Sequence, residues 1–300
     1  MEKIKLNDDL KFSRIVHGLM RLASWNMRDE ELLNLLEQSI DMGVTTFDHA
    51  DIYGGYIVEE LFGRALKLKP NLREKIEIIT KCGIKLISPN RPKHKIKYYD
   101  TSKEHIIKSV ENSLRNLNTD YIDVLLIHRP DPFMNPAEVS YAFNILKSQG
   151  KVKHFGVSNF NPSQFNMLSS HMNFPLVTNQ IEVSVMNLTN FQNGTIEQCQ
   201  ERKIPHMAWS PLAGGKVFSF EETNAVKVRN TLIRIANELG VESIEKVMYA
   251  WLLNHPANII PIVGSGKIER IKIAVESLDI KLSREQWFEI WESSTGHQVP

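Results

Sequence analysis

Short apolar runs, many of them β-branched, recur along the chain and alternate with longer stretches of helical periodicity. The runs at residues 14–20, 44–48, 76–81, 121–128, 152–158, 177–181, 205–210 and 258–263 predict eight strands. Ile122, Val124, Leu125, Leu126 and Ile127 make one of them almost continuously apolar, as in a parallel strand buried on both faces. Helix starts are legible between the strands. Asn135-Pro136-Ala137-Glu138 supplies an N-cap, a proline at the first helical position and a Glu at N3, and Asn161-Pro162-Ser163-Gln164 repeats that logic. Thr101-Ser102-Lys103-Glu104 and Ser283-Arg284-Glu285-Gln286 read as further capping boxes. Leu32, Leu33, Leu36 and Ile40 share a helical face that Gly43 ends, and Gly150 and Gly240 end later helices.

Eight strand–helix units in 300 residues predict an α/β fold: a single (β/α)₈ TIM barrel spanning residues 1–300. A doubly wound open sheet is the rival. As a dinucleotide binder it would need a G-x-G-x-x-G turn early in the chain, whereas Gly264-Ser265-Gly266 lacks the third glycine and comes late. Ahead of the first strand, residues 3–6 and 10–12 flank Asn7-Asp8-Asp9 and predict an N-terminal β-hairpin covering one end of the barrel.

Composition narrows the partners. Lys and Arg number 36 and Asp and Glu 35, so the net charge of +1 gives no global attraction to nucleic acid or an acidic membrane. Cys82 and Cys199 cannot build a disulfide framework, which fits a reducing compartment. No signal-peptide-like core opens the chain and no apolar run has membrane-spanning length, so the expected setting is soluble and cytoplasmic. Residues 90–97 form one basic cluster after the third strand, read either as a solvated loop or as a rim that attracts an anionic ligand. The stretch 211–225 is longer than an ordinary connection and is expected to act as a lid.

Barrel enzymes carry their chemistry at the carboxyl ends of the strands. The polar residues found there are Asp48 with Tyr53 five residues on, Lys81, His128, Ser158-Asn159, Asn179-Gln180, Trp209-Ser210 and Gly264-Ser265. Singly, Asp48 can cap a loop, Tyr53 can pack in its Gly54-Gly55 turn and His128 can be a core histidine. Lys81 is harder to explain, because a lysine at a barrel mouth needs a partner. Together the four suggest carbonyl reduction. Hydride arriving at a carbonyl carbon builds negative charge on oxygen, and a proton must reach it. A lysine cation beside the Tyr53 phenol would lower its pKa, Asp48 would hold the lysine, and His128 would bond the carbonyl oxygen.

The chain resembles the aldo-keto reductases, most of all a bacterial oxidoreductase branch. The likeness rests on residues 43–54 (Gly-Val-Thr-Thr-Phe-Asp-His-Ala-Asp-Ile-Tyr-Gly), Thr80-Lys81-Cys82-Gly83, residues 120–128, Gly156-Val157-Ser158-Asn159-Phe160, Asn179-Gln180-Ile181-Glu182, Trp209-Ser210-Pro211-Leu212 and Pro261-Ile262-Val263-Gly264, in that order. The resemblance implies a catalytic tetrad of Asp48, Tyr53, Lys81 and His128 with Tyr53 as general acid. It implies NADP(H) as cofactor, with Ser158, Asn159 and Gln180 on the nicotinamide carboxamide and Trp209 against the ring. Ser210, Leu212, Gly264 and Ser265 would line the pyrophosphate path, and Gly18 and Met20 would sit by the ring and ribose. Arg270, one turn into the helix after Gly264-Ser265-Gly266-Lys267, would grip the 2′-phosphate, with Lys267 a possible second cation; the alternative for Arg270 is an exposed pairing with Glu269 or Glu276. The family's polar adenine contacts are replaced by Ile273-Ala274. Trp25 and His49, together with Trp209 and the loops 84–99 and 132–135, are expected to shape the pocket for a small-molecule carbonyl substrate. Two other functions stay in view: a nicotinamide-binding regulatory subunit, and a metal-dependent hydrolase using His17, His49, Asp51, His128, His154 or His206. For the latter the spacing is poor, and no metal ligand is assigned.

Overall fold

The computed structural model describes residues 1–219 and 221–299. Eight parallel strands close a barrel: β1 (Val16–Gly18), β2 (Thr46–Asp48), β3 (Glu77–Cys82), β4 (Ile122–Ile127), β5 (Val152–Ser158), β6 (Asn179–Glu182), β7 (Met207–Trp209) and β8 (Ile260–Val263). Neighbours in the barrel are neighbours in sequence, and β8 pairs back with β1 through Ile262–Val16 and Val263–His17. This is the eightfold barrel that the sequence predicts. The strands are shorter than the apolar runs, because those runs continue into the turns. Beyond β1, for example, the Leu19 amide still bonds the Asp48 carbonyl.

Strand alternation divides the core into two shells. Val16, Ile79, Val124, Leu126, Val177, Met207, Ile260 and Ile262 point inward, and the hairpin Lys3–Lys5/Lys11–Ser13 presses Leu6, Leu10 and Phe12 onto them. The amino-terminal end of the barrel is thus plugged by apolar side chains, and His154, at the start of β5, faces the hairpin through Asn7 at 3.0 Å. Outward-facing residues such as Cys82, Leu125, Ile127 and Phe155 pack under the helices.

The helix signals settle into place with one shift of register. Asn135 and Asn161 cap Pro136–Ser148 and Pro162–Ser169, and Ser283 caps Arg284–Thr295. The helix Lys103–Leu117 is capped by Ser102, not by Thr101, whose hydroxyl donates to Asp131 instead. In Asp29–Asp41 the buried face is Leu32, Leu35, Leu36 and Ser39, with Leu33 and Ile40 at its margin. Two features escape the sequence pattern. Residues 84–99 form a two-stranded arm, Ile84–Lys85 against Tyr98–Tyr99. The long connection after β7 holds the 3₁₀ turn Ala213–Gly215 and the short helix Lys216–Ser219.

Candidate active site

At the carboxyl end of the barrel a cavity of about 530 Å³ opens, lined from several strand ends. Asp48 ends β2 and Lys81 lies near the end of β3, both pointing inward. The Lys81 ammonium is fully buried. It donates to both Asp48 carboxylate oxygens at 2.7 and 2.8 Å, to the His49 carbonyl at 2.7 Å and to the Tyr53 phenol oxygen at 3.0 Å. Burial alone would lower the pKa of this lysine, but Asp48 and Tyr53 more than offset the burial, so its pKa lies above the ordinary value.

Tyr53 is set by a tight 3₁₀ turn with Gly54 at φ 58° and Gly55 at φ 68°. A Cβ on Gly54 would sit 2.9 Å from Ala23 and Val58 side-chain carbons, so space and backbone angle both select glycine. The arm after β3 clasps the turn: Ser88 and Asn90 donate to the Gly55 carbonyl at 3.2 and 2.9 Å. Burial pushes the Tyr53 phenol above its usual range, and Lys81 pulls against this without overcoming it. The sequence argument expected the lysine to win; the dry position of the ring reverses that sign. The phenol stays protonated, and because its oxygen already accepts from Lys81, its own hydrogen is free for the cavity. His128, edge-on to Tyr53 with ring centres 5.9 Å apart, lies well below the ordinary histidine range. Burial is the chief cause, followed by the cations Lys81, Arg129 and Lys97, so the imidazole is neutral.

The opposite wall is a second bonded set. The Ser158 hydroxyl donates to the Gln180 carbonyl at 2.9 Å and accepts from the Asn159 amide at 2.8 Å. The Trp209 indole donates to the Asn159 side-chain oxygen at 2.9 Å. The Gln180 amide donates to Asp48 at 2.7 Å, which ties this wall to the ion pair. Asn159, Ser210 and Ala213 all adopt left-handed backbone (φ 62°, 52° and 53°), strain gathered at the cavity edge.

Gly18, Met20, Ser210, Leu212, Gly264, Ser265 and Arg270 also line the cavity. Arg270 sits in the first turn of the helix Ile268–Glu276. It forms no ion pair or side-chain hydrogen bond among the described residues; Glu276 bonds Lys246 and Lys272 instead. Ile273 also faces the cavity, whereas Ala274 belongs to the core.

Lys81 lies behind Asp48 and Tyr53 rather than in the lining itself, and three further sequence-predicted residues stand off the cavity. Trp25 stacks on His17 at 5.9 Å and covers Gly266, where a Cβ would come within 2.6 Å of the indole; it wedges the β1 and β8 turns together. His49 follows the inward Asp48 and so points outward, fully buried against Phe62 at 4.4 Å. Lys267 is the N-cap residue before the helix, its amide bonded to Ser265. The basic segment 90–97 packs on the Tyr56 side, with Arg91 over that ring at 4.5 Å, outside the cavity lining. The segment after β7 does reach the cavity through Gly214, Gly215 and Phe218. Phe220, within the stretch read as a lid, lies outside the described residues.

Arg129, Arg21, Glu245 and Tyr249 also line the cavity and were not singled out by the sequence. Arg129 had a signal, since it directly follows His128 at a strand end. Glu245 and Tyr249 had none, because their i,i+4 spacing reads like any helix face.

With barrel and rim described, the class follows: the chain belongs to the Aldo/keto reductase family, whose model matches residues 14–294. It is an oxidoreductase. It is 57% identical over the full length of both chains to the oxidoreductase YcsN of Bacillus subtilis (strain 168). It is 43% identical, again over both full lengths, to a 6-dehydroglucose reductase of Agrobacterium fabrum. A crystal structure of the thermostable aldo-keto reductase Tm1743 with the inhibitor epalrestat superimposes with a TM-score of 0.82 at 29% identity, covering 98% of this chain and 100% of that one. Among the described residues no helix is long and apolar enough to cross a membrane.

Proposed function

We propose that the chain is a cytoplasmic, NADPH-dependent reductase that converts aldehyde or ketone carbonyls to alcohols, with Tyr53 as general acid. One observation carries this reading: the Lys81 ammonium bonds Asp48 and the Tyr53 phenol oxygen at once, which leaves a protonated phenol facing the cavity beside a neutral His128. The residues present fit a dinucleotide. The cavity runs from Tyr53 past Gly264, where the nearest atom to an added Cβ is a backbone oxygen 3.8 Å away, to the unpaired Arg270. A reduced nicotinamide bound there would supply a hydride.

The chain's own residues do the rest. His128 donates to the carbonyl oxygen and fixes its direction. Tyr53 passes its proton to that oxygen as charge develops, and Lys81 stabilises the phenolate left behind. Asp48 keeps Lys81 charged and aimed, and Gln180 keeps Asp48 in place. Ser158, Asn159 and Gln180 would hold the carboxamide, Trp209 would back the ring, and Arg270 would take the 2′-phosphate. The buried free thiols Cys82 and Cys199 agree with a reducing compartment. The 6-dehydroglucose reductases among the relatives favour a hydroxylated aldehyde over a purely apolar one. Purified protein assayed with NADPH and NADH against aldehydes, ketones and dicarbonyls tests the proposal. Absence of turnover under every pairing would overturn it.

A further inference from the structure

We infer that Arg129 makes the site selective for carbonyl compounds that carry an oxygen-bearing group, a hydroxyl or a carboxylate, close to the carbonyl. This rests on the reductase reading above and adds the residue that reads the substrate.

Arg129 directly follows His128 and precedes Pro130, which disfavours helical backbone at residue 129. Its side chain lines the cavity, and its guanidinium lies 5.6 Å from the centre of the Trp209 ring. That ring is itself fixed by Asn159. Among the described residues the Arg129 guanidinium has no ion pair and no hydrogen bond, whereas Arg73 is bonded to Asp123, Ile76, Tyr121 and Thr119 and Arg64 to Asp29. A guanidinium presents five donors in a planar fork suited to paired oxygen acceptors. Here no protein acceptor fills that fork.

The local charge points the same way. The charged groups that act on His128 are Lys81, Arg129 and Lys97, with no carboxylate opposing them. Asp48 neutralises Lys81, so the charge left over beside the carbonyl site belongs to Arg129 and, farther out, Lys97. Tyr53 and His128 fix the carbonyl oxygen, and Arg129 is one residue from His128. Its charge acts on both Tyr53 and His128, so a group that reaches the guanidinium lies close to the carbonyl.

The test compares kcat/KM of the full chain for propanal, for glycolaldehyde, which has a hydroxyl in place of the terminal methyl, and for glyoxylate. Wild type should prefer one or both oxygenated aldehydes over propanal. Arg129→Met should lower that preference about 10–150-fold, the worth of a charge-assisted bond, with the change mostly in KM, and Arg129→Lys should restore part of it. A larger loss for glycolaldehyde identifies the hydroxyl as the group read; a larger loss for glyoxylate identifies the carboxylate. Should Arg129→Met fail to fold, Arg129→Gln gives the same comparison. Equal losses on propanal and the oxygenated aldehydes, or a wild type that prefers propanal, overturn the inference and leave the reductase reading intact. A wild type inactive on every carbonyl with either nicotinamide overturns both.

Discussion

The cavity lining follows two opposite plans. On the β2–β4 side, Asp48, Lys81 and Tyr53 are bonded to one another before any ligand arrives, and Gln180 joins them. At the other extreme, Arg270 and Arg129 line the same cavity with no bonded partner among the described residues. The first plan suits proton transfer, where groups must hold fixed positions through the reaction and reorganisation is costly. The second suits recognition, where an unfilled donor gains most when the correct ligand supplies its acceptor. Damage to the bonded wall should therefore spread to stability and to every substrate, while damage to the open one should stay confined to a single ligand.

The largest effect is expected at Lys81. Lys81→Met removes the partner of a buried carboxylate, which costs about 3–5 kcal/mol of stability and abolishes measurable turnover. Adding Asp48→Asn should return part of the stability and none of the activity. Thermal unfolding and single-turnover rates check this, and a Lys81→Met enzyme with normal turnover and a normal pH profile would break the contrast.

Tyr53→Phe comes next. It keeps the ring in its turn and deletes the proton donor, so the chemical step should slow roughly 10²–10⁴-fold while cofactor binding holds. The pH dependence has a definite sign. A general acid works only while protonated, and burial raises the Tyr53 pKa, so the reductive rate should persist through neutral pH and fall only above the usual phenol range. More than about a tenth of wild-type turnover, with chemistry limiting the rate, would remove Tyr53 from the role.

These two walls were not equally legible from sequence. Polar residues at the ends of apolar strands are conspicuous, and strand alternation carries Asp48, Lys81 and His128 inward automatically. The same alternation explains why His49 turns away, a step that residue type alone does not reveal. Trp25 stands off the cavity for another reason: an aromatic just past a strand serves equally to line a pocket or to pack on a glycine, and the position of Gly266 decides. The barrel was readable because its repeat is long and regular, whereas the arm at residues 84–99 depends on two-residue pairings too short to leave a pattern. The sign of the Tyr53 shift depends on how dry the ring is, and dryness is a property of the whole rim.

On the open wall, Arg270→Ala should weaken NADPH binding about 10–150-fold, the worth of one charge-assisted bond of roughly 1.5–3 kcal/mol. NADH binding should barely change, because that cofactor offers the guanidinium no 2′-phosphate. Arg270 forms neither of the surface pairs, with Glu269 or Glu276, that would give it a different purpose. Fluorescence titration of both cofactors reads the difference. Equal weakening of the two, or a wild type that prefers NADH, would show that Arg270 does not read the phosphate.

The smallest effect is expected one residue beyond Lys81, where the bonded wall stops. Cys82 points outward from β3 into the apolar layer of Ile106, Val110, Leu125 and Ile127 beneath the helices. Burial, with help from Asp51, Glu59 and Asp100, drives its thiol well above the ordinary range, so no thiolate forms at neutral pH despite the adjacent lysine. The sulfur is neither nucleophile nor disulfide partner, and its contribution is packing. Cys82→Ala should cost about 1 kcal/mol of stability from the small void and leave kcat within a factor of about two. The contrast with Lys81→Met, one peptide bond away, isolates the face of the strand as the deciding variable. A correctly folded Cys82→Ala enzyme that loses most of its turnover would mean that the catalytic wall extends through the strand to its outer side.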